Sequence, residues 1–380
     1  MKVQGEGQGC RTRASHLLGI RAVTFAGLAL LLLFEHLSLA GAQGPADPLR
    51  VALAKRVDEA KEGTGAIVGL LTRRGRSFTS YGRARVDGPE ITAETIFEIG
   101  SITKVFTALL LADMVERGEV ALDDPVRKYL PSGVTVPSRG RRNITLADLA
   151  THTSGLPRDP TNLELRSMDD PYAEYRAADL HAFLAGYSLQ RDPGTQFEYS
   201  NVGMGLLGHA LATRAGLSYE ALLTRSVLGP SGMRNTSVVV DEERRSRRAT
   251  GHSQALAPVP WWHFDAMAGA GAMNSTAQDM LLFAEAAMGA DTPLKAAFAR
   301  MTSVRRPTGG GTDQMLGWDA FRYQGNEVLA KSGVTNGFRS RLFVDPTGHR
   351  AVIVLINGGG PAPINDLVAL ALAQRDAPLP

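Results

Sequence analysis

Apolar and polar positions alternate differently at the two ends of the chain and in its middle. The strand-like runs cover residues 65–71, 76–81, 327–331, 337–344 and 350–357. The first two flank an Arg74-Gly75 turn, and Asp345-Pro-Thr-Gly348 separates the last two. The pattern therefore predicts strands at both ends of the chain.

Helical spacing dominates from about residue 101 to 289, interrupted by loops rich in Pro and Gly. Two of these helices have a recognisable start signal, because Thr145 precedes Asp148 by three residues and Thr276 precedes Asp279 in the same way. Further helical patterns cover residues 47–62 and about 364–374.

Together these elements predict an α/β protein with one antiparallel sheet built from both termini. Helices flank the sheet, and a large, mostly helical lobe is inserted into it. We expect the α/β lobe to cover about 43–100 and 317–380, and the helical lobe about 101–316. A cleft between the lobes is the natural place for a ligand.

The first 42 residues differ from the rest of the chain. Basic residues precede an apolar run at 22–34, and Ala40-Gly41-Ala42 follows it. The run has 13 residues, whereas a membrane span needs about 20. Residues 1–42 are therefore predicted to be a secretory signal peptide, cleaved before Gln43, which makes the mature chain periplasmic or secreted. The alternative is a retained segment that anchors the chain to a membrane.

Composition removes several classes of function. The only cysteine, Cys10, lies inside that segment, so thiol catalysis and cysteine-bound zinc are excluded for the mature chain. Its histidines lack metal-site spacing such as His-Glu-x-x-His, and we expect neither a metal nor another cofactor. Removing the segment's 4 basic and 2 acidic residues from 41 and 38 leaves 37 and 36. This balance gives no reason to expect a nucleic-acid partner.

One predicted helix begins with an unusual pair of residues. In FEIGSITKVFTALLLADMVERG, Ser101 is an acceptable N-cap, and the residues after it suggest an amphipathic helix. Lys104 lies where the positive end of the helix dipole disfavours a cation. Because Ser101 and Lys104 are three residues apart, both lie on one face of the helix.

Three short motifs follow one another in the chain: Ser101-Ile-Thr-Lys104, Tyr199-Ser-Asn201 and Lys331-Ser332-Gly333. Each motif is weak alone, and their order and settings carry the information. The first begins a helix, the second precedes a helical run, and the third ends an apolar strand.

These motifs resemble those of the serine β-lactamase and penicillin-binding protein superfamily, in its class C β-lactamase-like branch. The resemblance extends to the flanks 146–157 and Asn336-Gly337. Within that branch the chain is most similar to the periplasmic D-alanyl-D-alanine carboxypeptidase/endopeptidase group, through 150–154, 199–201 and 364–368.

The resemblance implies a covalent mechanism on Ser101. A serine hydroxyl needs a base, and Lys104 can serve only when it is neutral. Its ordinary pKa of about 10.4 must then fall toward neutrality, at a cost of about 4 kcal/mol. Burial, the helix end and Lys331 all act in that direction. Alternatively, Tyr199 is the base, held as a phenolate by the two lysines.

The resemblance also implies the substrate contacts. Asn201 would hold the substrate's amide and help to place Lys104, and Lys331 would face the substrate. The strand that contains Ser332 and Gly333 would pair with the substrate backbone. The N–H groups of Ser101 and Val334 would form the oxyanion hole.

Two departures bear on the substrate. We find no Glu-x-x-Leu-Asn segment of the class A β-lactamases, and no arginine between Arg350 and Arg375 to meet a β-lactam carboxylate. Peptidoglycan peptides are therefore favoured as substrates over β-lactams, with a β-lactamase or an esterase as the rival enzymes. A penicillin- or cell-wall-peptide-binding protein with very slow turnover is the non-enzymatic alternative.

Two neighbouring features are expected to be structural. His152 is predicted to be a capping or core histidine, because it lies at a helix end. Trp261-Trp262-His263-Phe264 is expected to supply buried aromatic side chains, with a peptide-binding groove as the alternative.

Overall fold

The computed structural model describes residues 47–163 and 169–374. The predicted signal peptide, with its cleavage point before Gln43, lies outside the described residues. No helix in the described ranges is long and apolar enough to cross a membrane.

Eight strands of the described chain form one antiparallel sheet. They are β1 (Gly65–Thr72), β2 (Gly75–Gly82), β9 (Arg306–Pro307), β10 (Asp313–Gln314), β11 (Asp319–Tyr323), β12 (Asn326–Val334), β13 (Arg339–Asp345) and β14 (Arg350–Ile356). Their order across the sheet is β2-β1-β14-β13-β12-β11-β10-β9. Short two-stranded pairs join β3 (Phe97–Glu98) to β8 (Asn274–Ser275), β4 (Ser138–Arg139) to β5 (Arg142–Asn143), and β6 (Gly251–His252) to β7 (Pro258–Val259).

The strand pair β1–β14 joins segments from opposite ends of the described chain. Strand β1 lies between β2 and β14, and Val68 is paired with Val354. Both strands are almost continuously apolar and buried, as expected for strands covered on both faces. At the end of β14, the Asn357 side chain accepts from the N–H of Gly65 at 2.8 Å and so fixes the start of β1.

Helices cover the sheet and fill the middle of the chain. They are α1 (Pro48–Ala54), α2 (Thr103–Glu116), α3 (Leu146–Ala150), α4 (Ala177–Gly186), α5 (Asn201–Ala215), α6 (Tyr219–Leu223), α7 (Glu242–Arg245), α8 (Ala268–Gly271), α9 (Ala277–Ala287), α10 (Lys295–Met301) and α11 (Asn365–Ala373). Helices α1 and α11 pack on one face of the sheet, and α9 packs on the other.

The structure confirms the predicted fold class. Both predicted helix starts are present, because Thr145 Oγ1 accepts from the N–H of Asp148 and Thr276 Oγ1 from that of Asp279, each at 3.1 Å. The sheet resumes at Arg306 with β9 and β10, ahead of the expected lobe boundary at 317. These strands have only two residues each, too short for a periodic pattern to reveal them.

Candidate active site

Ser101 lies in a short 3₁₀ turn, Gly100–Ile102, that leads directly into α2. The expectation that Ser101 caps this helix is wrong, because the cap position belongs to Ile102 and has no side-chain hydrogen bond. The expected amphipathic character is also wrong, since 11 of the 14 residues of α2 are buried. Other elements surround the helix on nearly every side, and this places Lys104 in the interior.

The Ser101 hydroxyl is the meeting point of two other predicted side chains. Lys104 Nζ lies 2.9 Å from Ser101 Oγ, and the Tyr199 hydroxyl lies 2.7 Å from the same atom. Lys104 Nζ also donates to the carbonyl oxygen of Ala270 at 2.6 Å. The structure therefore brings an amine and a phenol onto one hydroxyl.

Lys104 is fully buried at the bottom of this arrangement. Burial, followed by the positive charges of Lys331 and Arg158, holds the pKa of the Lys104 amine well below its usual range. A neutral amine has a free lone pair that accepts a proton. These conditions are the ones that a lysine base requires.

Tyr199 directly precedes α5, whose first turn is capped by Ser200. Its ring packs against His152 at an interplanar angle of 32°, with the ring centroids 4.5 Å apart, and His152 Nδ1 accepts from the N–H of Ser200 at 3.1 Å. His152 is buried, as expected for a core histidine. Burial raises the pKa of Tyr199 to about 12, against the opposing effect of its hydrogen bond to Ser101. Tyr199 is thus a proton donor near neutral pH.

Lys331 reaches the same ring from β12, with Nζ 5.4 Å from the Tyr199 centroid. It is 2% exposed and forms an ion pair with Asp319 at 2.8 Å. Asp319 begins β11, and nothing in the sequence pattern pointed to it. The positive charge of Lys331 is therefore partly neutralised by the carboxylate of Asp319 on the neighbouring strand β11.

The end of β12 is open on the side away from β13. The ladder between β11 and β12 ends at the pair Asp319–Ala330, whereas the ladder to β13 continues to Val334, within the described residues. Ser332 and Val334 are exposed there. A Cβ added to Gly100 would lie 2.8 Å from Val334 N, so the turn that contains Ser101 lies directly against this strand end.

Gly333 lies where no side chain fits. A Cβ at Gly333 would lie 2.0 Å from the carbonyl oxygen of Ile99 and 2.5 Å from Ser340 Oγ. The absent side chain therefore lets β12 pack against the segment that positions Ser101.

Asn201 lines the cavity, and its amide nitrogen has a partner within the protein. Its Nδ2 donates to Asp159 Oδ1 at 2.8 Å, and the Tyr172 hydroxyl donates to the same oxygen at 2.7 Å. The expected help in placing Lys104 comes instead from the Ala270 carbonyl. Asp159 and Tyr172 were not identified from the sequence. Asp159 lies two residues after the 146–157 flank. This closeness is the one feature of the sequence that could have indicated a role for Asp159 in the site.

A cavity of about 210 Å³ opens at Ser101. Its lining includes Trp262, Phe264, Arg158, Asp159 and Tyr172. Trp261 is buried as expected, whereas Trp262 and Phe264 are only half-buried. For these two residues the expectation of burial is wrong, because both side chains line the cavity.

The described residues contain no group of three or more His, Asp or Glu side chains arranged to hold a metal. The groups in contact with the Ser101 hydroxyl are an amine and a phenol. This set suits transfer of an acyl group through a covalent intermediate.

Comparison with known proteins agrees with this chemistry. A family model described as Beta-lactamase matches residues 53–376. The D-alanyl-D-alanine-carboxypeptidase/endopeptidase AmpH of Escherichia coli K12 is 32% identical over 233 residues, which are 60% of this chain and 58% of that protein. A Beta-lactamase of Pseudomonas fluorescens is 28% identical over 335 residues, covering 78% of this chain and 89% of that protein.

A solved structure agrees as well. The class C β-lactamase of Rhodobacter sphaeroides superposes with a TM-score of 0.73 at 28% identity, covering 86% of this chain and 98% of that one. Because the family model spans most of the chain and the motifs, fold and relatives agree, the resemblance seen in the sequence is confirmed, and the chain belongs to the β-lactamase family.

Proposed function

We propose that the chain is an exported serine acyl-hydrolase that cleaves D-alanyl peptides of peptidoglycan through an acyl-enzyme on Ser101. The observation that carries this proposal is the contact of one hydroxyl with both Lys104, at 2.9 Å, and Tyr199, at 2.7 Å. In this proposal residues 1–42 are the signal peptide and 43–380 the two-lobed hydrolase domain. The mature chain acts in the periplasm or outside the cell.

Acylation begins when the neutral Lys104 amine takes the proton of Ser101. The Ser101 oxygen forms a bond to the substrate's carbonyl carbon, and the N–H groups of Ser101 and Val334 hold the resulting oxyanion. The C–N bond then breaks, and the leaving amine takes a proton from the Tyr199 hydroxyl, which Lys104 resupplies. Water later releases the acyl group and restores Ser101.

The substrate backbone lies along the open edge of β12. Residues 331–334 extend past β11, so an extended peptide finds unpaired main-chain groups there, as in strand addition. Lys331 supplies positive charge beside Tyr199, and Asn201 faces the acyl part of the substrate from the opposite wall.

Hydrolysis of β-lactams is the second candidate. It is favoured by the match to the Pseudomonas fluorescens protein over most of its length. The sequence has no arginine between Arg350 and Arg375. However, Arg341 on β13 donates to Ser332 Oγ at 2.6 Å, so a guanidinium does lie at the open end of β12.

The decisive experiment incubates the purified protein, and a Ser101→Ala control, with muropeptides, nitrocefin and a short-chain ester. We expect release of D-alanine or cleavage of cross-links by the wild type and none by the control. Activity on the ester alone would reject the cell-wall substrate. Labelled penicillin followed over time adds to this assay: label that disappears fits an enzyme that deacylates, and permanent label together with no turnover of any substrate fits the binding protein.

A further inference from the structure

Two histidines from different helices bring their ring nitrogens together outside the lining of the cavity at Ser101. His181 lies in α4 and His209 in α5, 28 positions further along the chain. Their Nε2 atoms are 3.1 Å apart, and the ring planes are inclined at 59° with the centroids 5.2 Å apart. Neither ring takes part in the acyl transfer proposed above, so that reaction does not account for the pair.

Both rings are positioned by helices with buried neighbours. In α4, Leu180 directly precedes His181 and is buried. In α5, Gly208 and Ala210 lie on either side of His209, and both are buried. The two histidines themselves are half-buried. Each ring is therefore held in place by its helix and still reached by ions from solvent.

The distance between the two nitrogens matches the spacing of two ligands on one metal ion. Zinc binds histidine nitrogen at about 2.0–2.1 Å, so two nitrogens on a tetrahedral ion lie about 3.3 Å apart. On a square-planar ion with similar bond lengths they lie about 2.9 Å apart. The observed 3.1 Å falls between these values. The two rings can therefore bind one ion with little movement of either helix.

Without an ion, the contact is a hydrogen bond in which one Nε2 donates and the other accepts. An ion takes the place of this hydrogen bond. The donating ring then carries its proton on Nδ1, so that the lone pairs of both Nε2 atoms bind the ion. No proton is gained or lost overall, because each neutral imidazole keeps one N–H.

The surroundings of His209 suit a hydrated cation. His209 lines a groove of about 390 Å³, and Asp265 lines the same groove. The Asp265 side chain is 52% exposed and lies 3.4 Å from the guanidinium of Arg176, which is longer than a strong charge-assisted hydrogen bond. The groove thus offers a carboxylate and room for the water molecules that complete the coordination of an ion with two protein ligands.

We infer that His181 and His209 form a binding site for one divalent transition-metal ion of the kind that prefers imidazole nitrogen, Zn²⁺ or Cu²⁺. Water occupies the remaining positions. The bound ion joins α4 to α5, the helix that directly follows Tyr199. It stabilises this part of the helical lobe and takes no part in the chemistry at Ser101. Mg²⁺ and Ca²⁺ prefer oxygen ligands and are not expected to bind.

Isothermal titration calorimetry with Zn²⁺ tests this site on the purified protein without a histidine tag. The measurement is made at pH 7.5, where a histidine with the ordinary pKa of about 6.5 is mostly neutral. We expect one Zn²⁺ to bind per chain. His181→Ala and His209→Ala each remove one ligand and should weaken this binding by at least about 10-fold. Mg²⁺ should produce no heat of binding.

His349→Asn is the matched control. His349 is exposed between β13 and β14 and lies outside the groove. Its φ is 56°, a conformation that Asn tolerates. This variant should bind Zn²⁺ as wild type does. Zn²⁺ should also raise the Tm of wild type and His349→Asn by a few degrees, because the ion binds only the folded chain. It should leave the Tm of His181→Ala and His209→Ala nearly unchanged.

Electron paramagnetic resonance of bound Cu²⁺ identifies the ligands directly. The wild-type spectrum should show coupling to two imidazole nitrogens, and the spectrum of either alanine variant should not. If wild type bound neither Zn²⁺ nor Cu²⁺ at concentrations up to about 1 mM, the pair would be a hydrogen bond only and the site would be rejected. Equal Zn²⁺ affinity in wild type and both alanine variants would reject it as well, because other groups would then hold the ion.

Discussion

The Tyr199 hydroxyl lies 2.7 Å from Ser101 Oγ while burial raises the pKa of Tyr199 to about 12. The phenol is therefore protonated near neutral pH, and its hydrogen bond to Ser101 is made as a donor. This relationship favours Lys104 as the base and Tyr199 as the acid toward the leaving group.

Tyr199→Phe removes this donor and keeps the ring that packs on His152. Acylation by a labelled penicillin or an ester should slow by about 10²- to 10⁴-fold. The midpoint of the acidic limb of the pH–rate profile should stay in place, because it reports Lys104. Tyr129→Phe, a buried tyrosine that donates to Asp124, serves as the control. If the acidic limb of the pH–rate profile were absent in Tyr199→Phe, Tyr199 would be the base.

Lys104→Met should stabilise the protein at neutral pH. Because burial lowers the pKa of Lys104, the unfolded chain binds a proton there that the folded chain does not. The free energy of unfolding then rises with pH. The destabilisation caused by burying the amine disappears as the pH approaches the ordinary lysine pKa of about 10.4. The variant should therefore have a Tm several degrees above wild type at pH 7, and the difference should shrink toward pH 10.

Lys295→Met provides the comparison, since Lys295 is exposed on α10. Its Tm difference from wild type should stay constant over the same pH range. A constant difference for Lys104→Met as well would mean that the amine is charged in the folded protein.

Gly333→Ala should destabilise the fold, because the new methyl group would lie 2.0 Å from the Ile99 carbonyl oxygen. Overpacking of this kind costs about 1–3 kcal/mol, measurable as a lower midpoint in urea. Gly186→Ala is the matched control at the end of α4, where a Cβ meets nothing within 4 Å. It should be neutral or slightly stabilising. Equal midpoints for the two variants would contradict the packing account of Gly333.

The Glu98→Gln substitution should abolish the destabilisation that ionisation of Glu98 causes as the pH rises. Glu98 is buried behind the cavity wall, where it accepts from the N–H of Trp262 at 2.5 Å, and burial raises its pKa to about 7. The folded chain thus holds a proton that the unfolded chain releases near pH 4.5. Glu98 by itself should lower the free energy of unfolding by about 3 kcal/mol between roughly pH 4.5 and 7.

Urea unfolding of wild type and the Gln variant at pH 5 and pH 8 isolates this contribution, because the other groups titrate in both proteins. The Gln variant keeps the oxygen that faces Trp262 and should gain about 3 kcal/mol relative to wild type between the two pH values. Glu59→Gln, at an exposed position, should differ from wild type by the same amount at both pH values. A difference between Glu98→Gln and wild type that is equal at both pH values would show that Glu98 is already ionised at pH 5.

Much of the architecture followed from the sequence, because strands and helices leave periodic patterns and the motif order linked distant segments. The three-residue spacing of Ser101 and Lys104 predicted that the two side chains lie on the same face. The 2.9 Å distance between Lys104 Nζ and Ser101 Oγ agrees with this prediction. The full burial of α2 did not follow, since periodicity in one helix does not reveal what packs around it. Asp159 and Asp319 were missed because their partners, Asn201 and Lys331, come from other elements and no fixed spacing joins them.

The pairing of Val68 with Val354 ties the first strand of the sheet to the last. During synthesis, β1 and β2 are made long before β14, the strand that pairs with the other edge of β1. Contacts between segments this distant in sequence make folding slow. A chain interrupted before β14 carries the serine, the lysine and the tyrosine but leaves the central sheet unfinished. A partial chain that lacks β14 therefore cannot form the native sheet.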